Sequence, residues 1–215
     1  MLVGERMRRQ VITVKENDSL QRAFSLMKKN SIRHLPVVRE ETLVGIITDR
    51  DFRQAMIPVE DSGKGKEGYR YRLPKAGKVK KYMTSEVIVV TPHTDIEEAA
   101  CLIYRHKVGG LPVINGEGKL MGIITETDLL AVFIEIMGIL MASSRVDVIL
   151  GDNPGAFEDA CRIIKAHQGH IISVGMSGHE DKQKRVHYFR LELCDVQPIT
   201  QALSKAGYEV VSVLE

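Results

Sequence analysis

Short β-branched runs alternate with stretches of helical period along the first two thirds of the chain. VITV (Val11–Val14) and VIVV (Val87–Val90) are bounded by polar residues and predict strands. NDSLQRAFSLMKKN, residues 17–30, places Leu20, Ala23, Phe24 and Met27 at helical spacing, with Asp18 or Ser19 as the cap. LPVV and LVGIIT predict two more strands around the polar turn REET, and a helix begins near Asp49. Further along, LPVI, the turn NGEGK, GIIT and a helix from about Glu126 run in the same order.

The second set is a copy of the first. Residues Met7 to Val38 lie over Met83 to Ile114 without a gap, and one inserted residue restores the match of GIITDRD (Gly45–Asp51) with GIITETD (Gly122–Asp128). Strand, helix, strand, strand, helix is too little to cover a sheet on both faces. The two copies should therefore pack against each other.

The stretch from Glu60 to Tyr82 has eight Lys or Arg against three acids and few apolar residues, so it reads as an exposed basic linker. Its Gly63, Gly65 and Gly68 spell GxGxxG, but no strand precedes them and no apolar helix follows, as a dinucleotide fingerprint requires. Tyr69, Arg70, Tyr71 and Arg72 have the chemistry to stack bases or touch phosphates, but they are read as part of a solvated loop. The apolar run Leu129 to Ala142 contains Glu135 and falls short of the ~20 residues that span a bilayer. It is expected to form a buried helix, with enough apolar surface left to help form a homodimer.

From Arg145 the repeat is absent. RVDVIL predicts a strand, GDNPG a turn with Pro154 at the first helical position, and AFEDACRIIKAHQG a helix ending near Gly169. HIISVGMS and RVHYFRLELC predict strands around the charged turn GHEDKQK, followed by a helix, PITQALSKAG, and a strand, YEVVSVLE. That order, strand, helix, strand, strand, helix, strand, is the ferredoxin-like arrangement and marks a separate domain.

Composition changes this picture little. The chain has 215 residues, 44% hydrophobic and 27% charged, which is ordinary for a globular protein, and its net charge of +2 is too small to argue for nucleic acid. Cys101, Cys161 and Cys194 lie far apart and read as reduced thiols in a cytoplasmic protein, and MLVGERMRRQ lacks the apolar run of a signal peptide. His167 and His170 are three apart, but an exposed helix end explains them, and no metal site is expected.

The doubled unit, LPVV with GIITDRD and LPVI with GIITETD, resembles a tandem pair of cystathionine β-synthase (CBS) domains, a Bateman module. The segment RVDVILGDNPGAFEDACRIIKAHQGHIISV resembles an ACT domain, and the combination looks like the acetoin-utilisation regulatory proteins. The resemblance implies an α/β (α+β) fold: a first CBS domain at 1–59, the linker at 60–78, a second CBS domain at 79–143 and a ferredoxin-like ACT domain at 145–215.

It also implies adenosine nucleotide sites in the cleft between the copies. A ligand where a strand ends at Thr48 and a helix begins would meet free backbone N–H groups, a hydroxyl able to donate to phosphate, and the Asp51 carboxylate able to accept from both ribose hydroxyls. Thr125 and Asp128 offer the same pair. Thr followed three residues later by Asp is also close to a helix capping box.

Arg33 and His34 stand where members of the family often contact phosphate, or else at a solvated strand end. The second copy has Gly109 and Gly110 there, so the two sites should bind unequally. Val11, Ile12, Val87 and Ile88 would shape adenine pockets, although a core strand would need them too. In the ACT segment, Asp152, Asn153 and Gly155 would bind a small effector such as an amino acid, or simply form an Asx turn.

No catalytic signature such as GxSxG, HExxH or a P-loop is present. The sequence therefore points to a cytoplasmic regulatory protein rather than an enzyme. It would bind AMP, ADP, ATP or a related adenosyl compound, with no resident cofactor and a target enzyme as a further partner. A ligand-free interaction adaptor is the alternative, and DNA binding through the basic linker a third reading.

Overall fold

The computed structural model describes residues 1–60, 69–178 and 184–214. The chain forms two compact units of mixed helix and strand, Met1–Leu129 and Leu130–Glu215. No helix among the described residues is long and apolar enough to cross a membrane.

The first unit contains both copies. It opens with α1 (Val3–Arg6), and the first copy continues with β1 (Val14–Lys15), α2 (Leu20–Lys29), β2 (His34–Arg39), β3 (Thr42–Thr48) and α3 (Asp49–Ala55). Ser19 caps α2 by accepting from the Arg22 N–H at 3.2 Å. The helix buries Leu20, Ala23 and Met27 against Leu35, Val37, Ile47 and Phe52. In the second copy, α4 (Ile96–His106), β6 (Gly110–Ile114) and β7 (Leu120–Thr125) repeat the order. Then comes α5 (Glu126–Ile136), which starts where α3 does in the first copy.

The copies exchange their N-terminal arms. Val3 and Gly4 donate to the carbonyls of Thr94 and Pro92 at 2.8 and 2.9 Å, while Val79 and Lys80 donate to those of Asp18 and Glu16 at 3.0 and 2.9 Å. Further along each arm, Arg8 makes a two-way backbone bridge with Ile123, and Thr84 makes the same bridge with Ile46. Val3 and Val79 are both fully buried, so each arm is anchored by one apolar side chain. The glycines of the repeated GIIT follow from this exchange. A Cβ on Gly45 would stand 2.7 Å from the Met83 sulfur, and one on Gly122 would stand 2.6 Å from that of Met7.

Several expectations need correction. Of VITV only Val14 enters a strand, parallel to β2, and VIVV makes a single bridge from Val90 to Val113. Each segment reaches the edge of its hairpin only at its last residue. The basic linker is not all exposed loop: β4 (Ile57–Glu60) and β5 (Tyr69–Arg72) form an antiparallel hairpin. Leu73 then enters the first core, and the Pro74 carbonyl accepts from Gln21. Gly63, Gly65 and Gly68 lie outside the described residues. The run from Leu129 is not a buried helix: α5 stops at Ile136, Gly138 has φ +63°, and Leu130, Phe133, Ile136, Ile139, Leu140 and Met141 are exposed.

The second unit contains β8 (Ser143–Ile149), α6 (Ala156–Ala166), β9 (Ile171–Gly178), β10 (Arg185–Glu192), α7 (Gln197–Lys205) and β11 (Glu209–Leu214). Its four strands form an antiparallel sheet in the order β11-β8-β10-β9. Alternate residues Val146, Val148, Phe189 and Leu191 bury against Ala160 and Ile164 of α6 and Ile199 and Leu203 of α7. Pro154 lies before α6 rather than in its first turn, because Gly155 is the cap.

Candidate functional site

Of the composite cavities that both copies build in the first unit, two hold the expected residues. The first, about 360 Å³, takes Thr48, Asp49, Arg50 and Asp51 from the first copy and Thr84, Glu86, Val87, Ile88, Gly109 and Gly110 from the second. The other, about 420 Å³, takes Arg8, Gln10, Val11 and Ile12 from the first and Ile123, Thr125 and Thr127 from the second. Arg33 and His34 line both. All the expected residues of the doubled motif except Asp128 therefore reach a cavity wall, and the valines and isoleucines omitted from the sheet are wall residues.

The two Thr–Asp pairs close the same local ring. Asp51 Oδ2 accepts from the Thr48 backbone N–H and hydroxyl, both at 2.7 Å, and Asp128 Oδ2 accepts from those of Thr125 at 3.0 and 2.6 Å. The carboxylate thus satisfies the orphan N–H at the helix start. Each threonine hydroxyl, expected to donate to a phosphate, donates here to its own aspartate. What remains for a ligand is the second carboxylate oxygen.

Here the copies part. Asp51 Oδ1 has no partner among the described residues, whereas Asp128 Oδ1 accepts from Arg8 Nε at 3.0 Å. Thr84 holds the place of Arg8 on the other arm and makes no such bond.

Beside Asp51, Arg53 pairs with Asp49 at 2.9 Å, while Arg33 and Arg50 make no ion pair among the described residues. His34 is half-buried and lies against Gly109, where a Cβ would come within 2.8 Å of its Nε2. Burial pushes its pKa below the ordinary histidine value and Arg33 adds to the effect, against Asp49 and Glu126, which favours the neutral ring. Glycine at 109 is thus required by packing, and it admits the imidazole between the two cavities.

A profile of the CBS domain matches this architecture twice, at residues 3–58 and 79–135. The chain belongs to the CBS domain family. It is 36% identical over 140 residues to a CBS domain-containing protein of Dictyostelium discoideum, covering 64% of this chain and 94% of that one. It is 35% identical to inosine-5'-monophosphate dehydrogenase of Methanocaldococcus jannaschii, covering 94% of this chain but only 40% of the dehydrogenase.

Among solved structures, CBSX2 in complex with AMP is 28% identical with a TM-score of 0.52, covering 63% of this chain and 97% of that one. A CBS domain pair bound to 5'-methylthioadenosine and S-adenosyl-L-methionine is 27% identical with a TM-score of 0.51, covering 62% and 99%. A protein assigned to acetoin utilization in Vibrio cholerae is 28% identical with a TM-score of 0.52, covering 65% and 94%.

The second unit has a cavity of about 420 Å³ lined by Leu150, Asp152, Asn153, Phe157, Arg185 and His187, among others. Asn153 Oδ1 accepts from the Gly155 N–H at 3.1 Å, the expected Asx turn, so Gly155 shapes the loop without lining the cavity. His187 Nδ1 is buried and meets no well-aligned hydrogen-bond partner among the described residues, and burial lowers its pKa, against the backbone of Arg185 and Val148.

Sequence reasoning missed Thr84, Glu86, Arg50, Lys107 and Glu126 in the first cavity, Arg8 at Asp128, and Arg185 and His187 in the second unit. For Arg8 a signal existed, because it is a charged residue opposite an uncharged one in the gapless alignment of the copies.

Proposed function

We propose that the CBS pair is a non-catalytic sensor of an adenosine nucleotide, held in the cavity that contains Asp51. The observation that carries this is the unpartnered Asp51 Oδ1 beside two guanidiniums, Arg33 and Arg50, without ion pairs. The carboxylate oxygen suits ribose hydroxyls, the guanidiniums suit a phosphate, and Val87 and Ile88 suit the base. The AMP, methylthioadenosine and S-adenosylmethionine of the neighbouring structures are of the same class. Four cations, Arg33, Arg50, Arg53 and Lys107, are balanced by Asp49, Asp51, Glu86 and Glu126, which favours AMP or an adenosyl thioether over the triphosphate.

In this reading the second unit is a ferredoxin-like ACT domain, supported by its element order and its β11-β8-β10-β9 sheet. It takes an amino acid beside Asp152 and Asn153. The exposed apolar residues from Leu130 to Met141 serve a homodimer, and the sensor acts on a target enzyme in the cytoplasm, with acetoin utilisation the pathway suggested by the Vibrio neighbour.

Thermal unfolding with AMP tests the reading. At a hundredfold excess over Kd a single site adds about 2.7 kcal/mol of stability. An unchanged Tm at millimolar AMP overturns it in favour of a ligand-free adaptor.

A further inference from the structure

Arg8 and Thr84 occupy equivalent places on the exchanged arms, and the backbone holds them alike. Arg8 N donates to the Ile123 carbonyl at 2.9 Å and accepts at 3.0 Å from Ile123 N, while Thr84 and Ile46 exchange the same two bonds at 2.9 Å each. The methionine before each of them fills the space over the repeated glycine. Ser31 and Lys107, equivalent non-glycine residues on the two cavity rims, share a left-handed φ of 52° and 55°. With so much of the frame in common, the difference at Asp51 and Asp128 reduces to one side chain.

We propose that Arg8 is the specificity-determining residue that restricts the CBS pair to a single nucleotide. Its guanidinium occupies the oxygen of Asp128 that corresponds to the free oxygen of Asp51, and so fills the place of the ribose hydroxyls in the second cavity. This rests on the nucleotide reading above. With Arg8 in place the Asp128 side chain is only 12% exposed, whereas that of Arg8 is 60% exposed, so removing Arg8 uncovers the carboxylate oxygen that it holds. A ribose supplies two hydroxyl donors to that carboxylate. Loss of Arg8 thus exchanges an internal partner for a ligand, and the two carboxylates become equivalent.

Isothermal titration with AMP on the full chain tests this. The wild type is expected to bind one AMP per chain, and Asp51→Asn to weaken that site at least tenfold. Arg8→Thr, which copies the other arm, is expected to bind two. The double variant Arg8→Thr with Asp51→Asn is expected to bind one, in the second cavity, and Thr84→Arg to lose the first site. Melting curves without ligand confirm that each variant folds, and Thr84→Arg provides an independent test if Arg8→Thr does not.

Two sites in the wild type overturn the inference while leaving the nucleotide reading intact. So does weaker binding in Arg8→Thr, which would make Arg8 a ligand contact, or a double variant that binds none. No binding to the wild type or to Arg8→Thr overturns both.

Discussion

The two cavities of the CBS pair are built by the same chain path and end in different chemistry. Each borrows an arm from the other copy, closes a Thr–Asp ring over a helix start and lines its wall with a Val–Ile pair. In one, a carboxylate oxygen has no hydrogen bond and two arginines no ion pair among the described residues; in the other, an arginine answers the carboxylate. Backbone hydrogen bonds and buried anchors fix a duplicated frame and tolerate little change. An exposed arm residue is free to diverge, and here that freedom lies on a functional oxygen.

The largest expected effect tests the shared frame. Phe52, fully buried and packed on Phe24 with ring centroids 5.3 Å apart, follows Asp51 directly, and Leu129 is its counterpart after Asp128. Phe52→Ala should cost about 3–5 kcal/mol and Leu129→Ala about 2–5 kcal/mol in urea unfolding. A loss below about 1 kcal/mol at either would show that its copy lacks the packed core described here.

Next comes the asymmetry. Removing the Asp51 charge should cost AMP about 1.5–3 kcal/mol of binding, the worth of hydrogen bonds to a charged group, while Asp128→Asn should leave the affinity unchanged. Equal losses would erase the distinction between the cavities.

Gly45→Ala and Gly122→Ala should each destabilise by about 1–3 kcal/mol, because the added methyl meets a methionine sulfur and an arm carbonyl. Unequal values in unfolding experiments would break the equivalence of the arms.

The smallest effect concerns pH. His34 has a lowered folded pKa, so the unfolded chain takes up its proton first. Stability should fall as the pH drops below the ordinary histidine value of 6.5, and His34→Asn should reduce that fall. The second copy has Gly110 at this position and adds nothing of the kind, although His187 in the other unit acts in the same direction. A wild-type slope that survives unchanged in the variant would remove His34 from this role.

Much of this was legible in the chain. Repetition carried the pairing of copies, because apolar period and turn residues act locally and recur at fixed spacing. Thr48, Asp51, Thr125 and Asp128 were found as pairs, and the capping alternative weighed against ligand binding proved to be their internal geometry. The arm exchange was not legible, since its backbone bonds from Val3, Gly4, Val79 and Lys80 leave no pattern in the sequence and a single apolar residue on each arm does not say which copy it enters. Tyr71 and Arg72 looked like loop because composition cannot report a hairpin partner, and Leu129 to Ala142 looked buried because hydrophobicity alone does not say which face has a neighbour.

The most direct test of the account is a crystal structure of the chain grown with AMP. The expected result is one nucleotide with its ribose on the free oxygen of Asp51, its phosphate towards Arg33 and Arg50, and Arg8 still on Asp128. An empty Asp51 cavity at millimolar AMP, or a nucleotide seated on Asp128 instead, would contradict it.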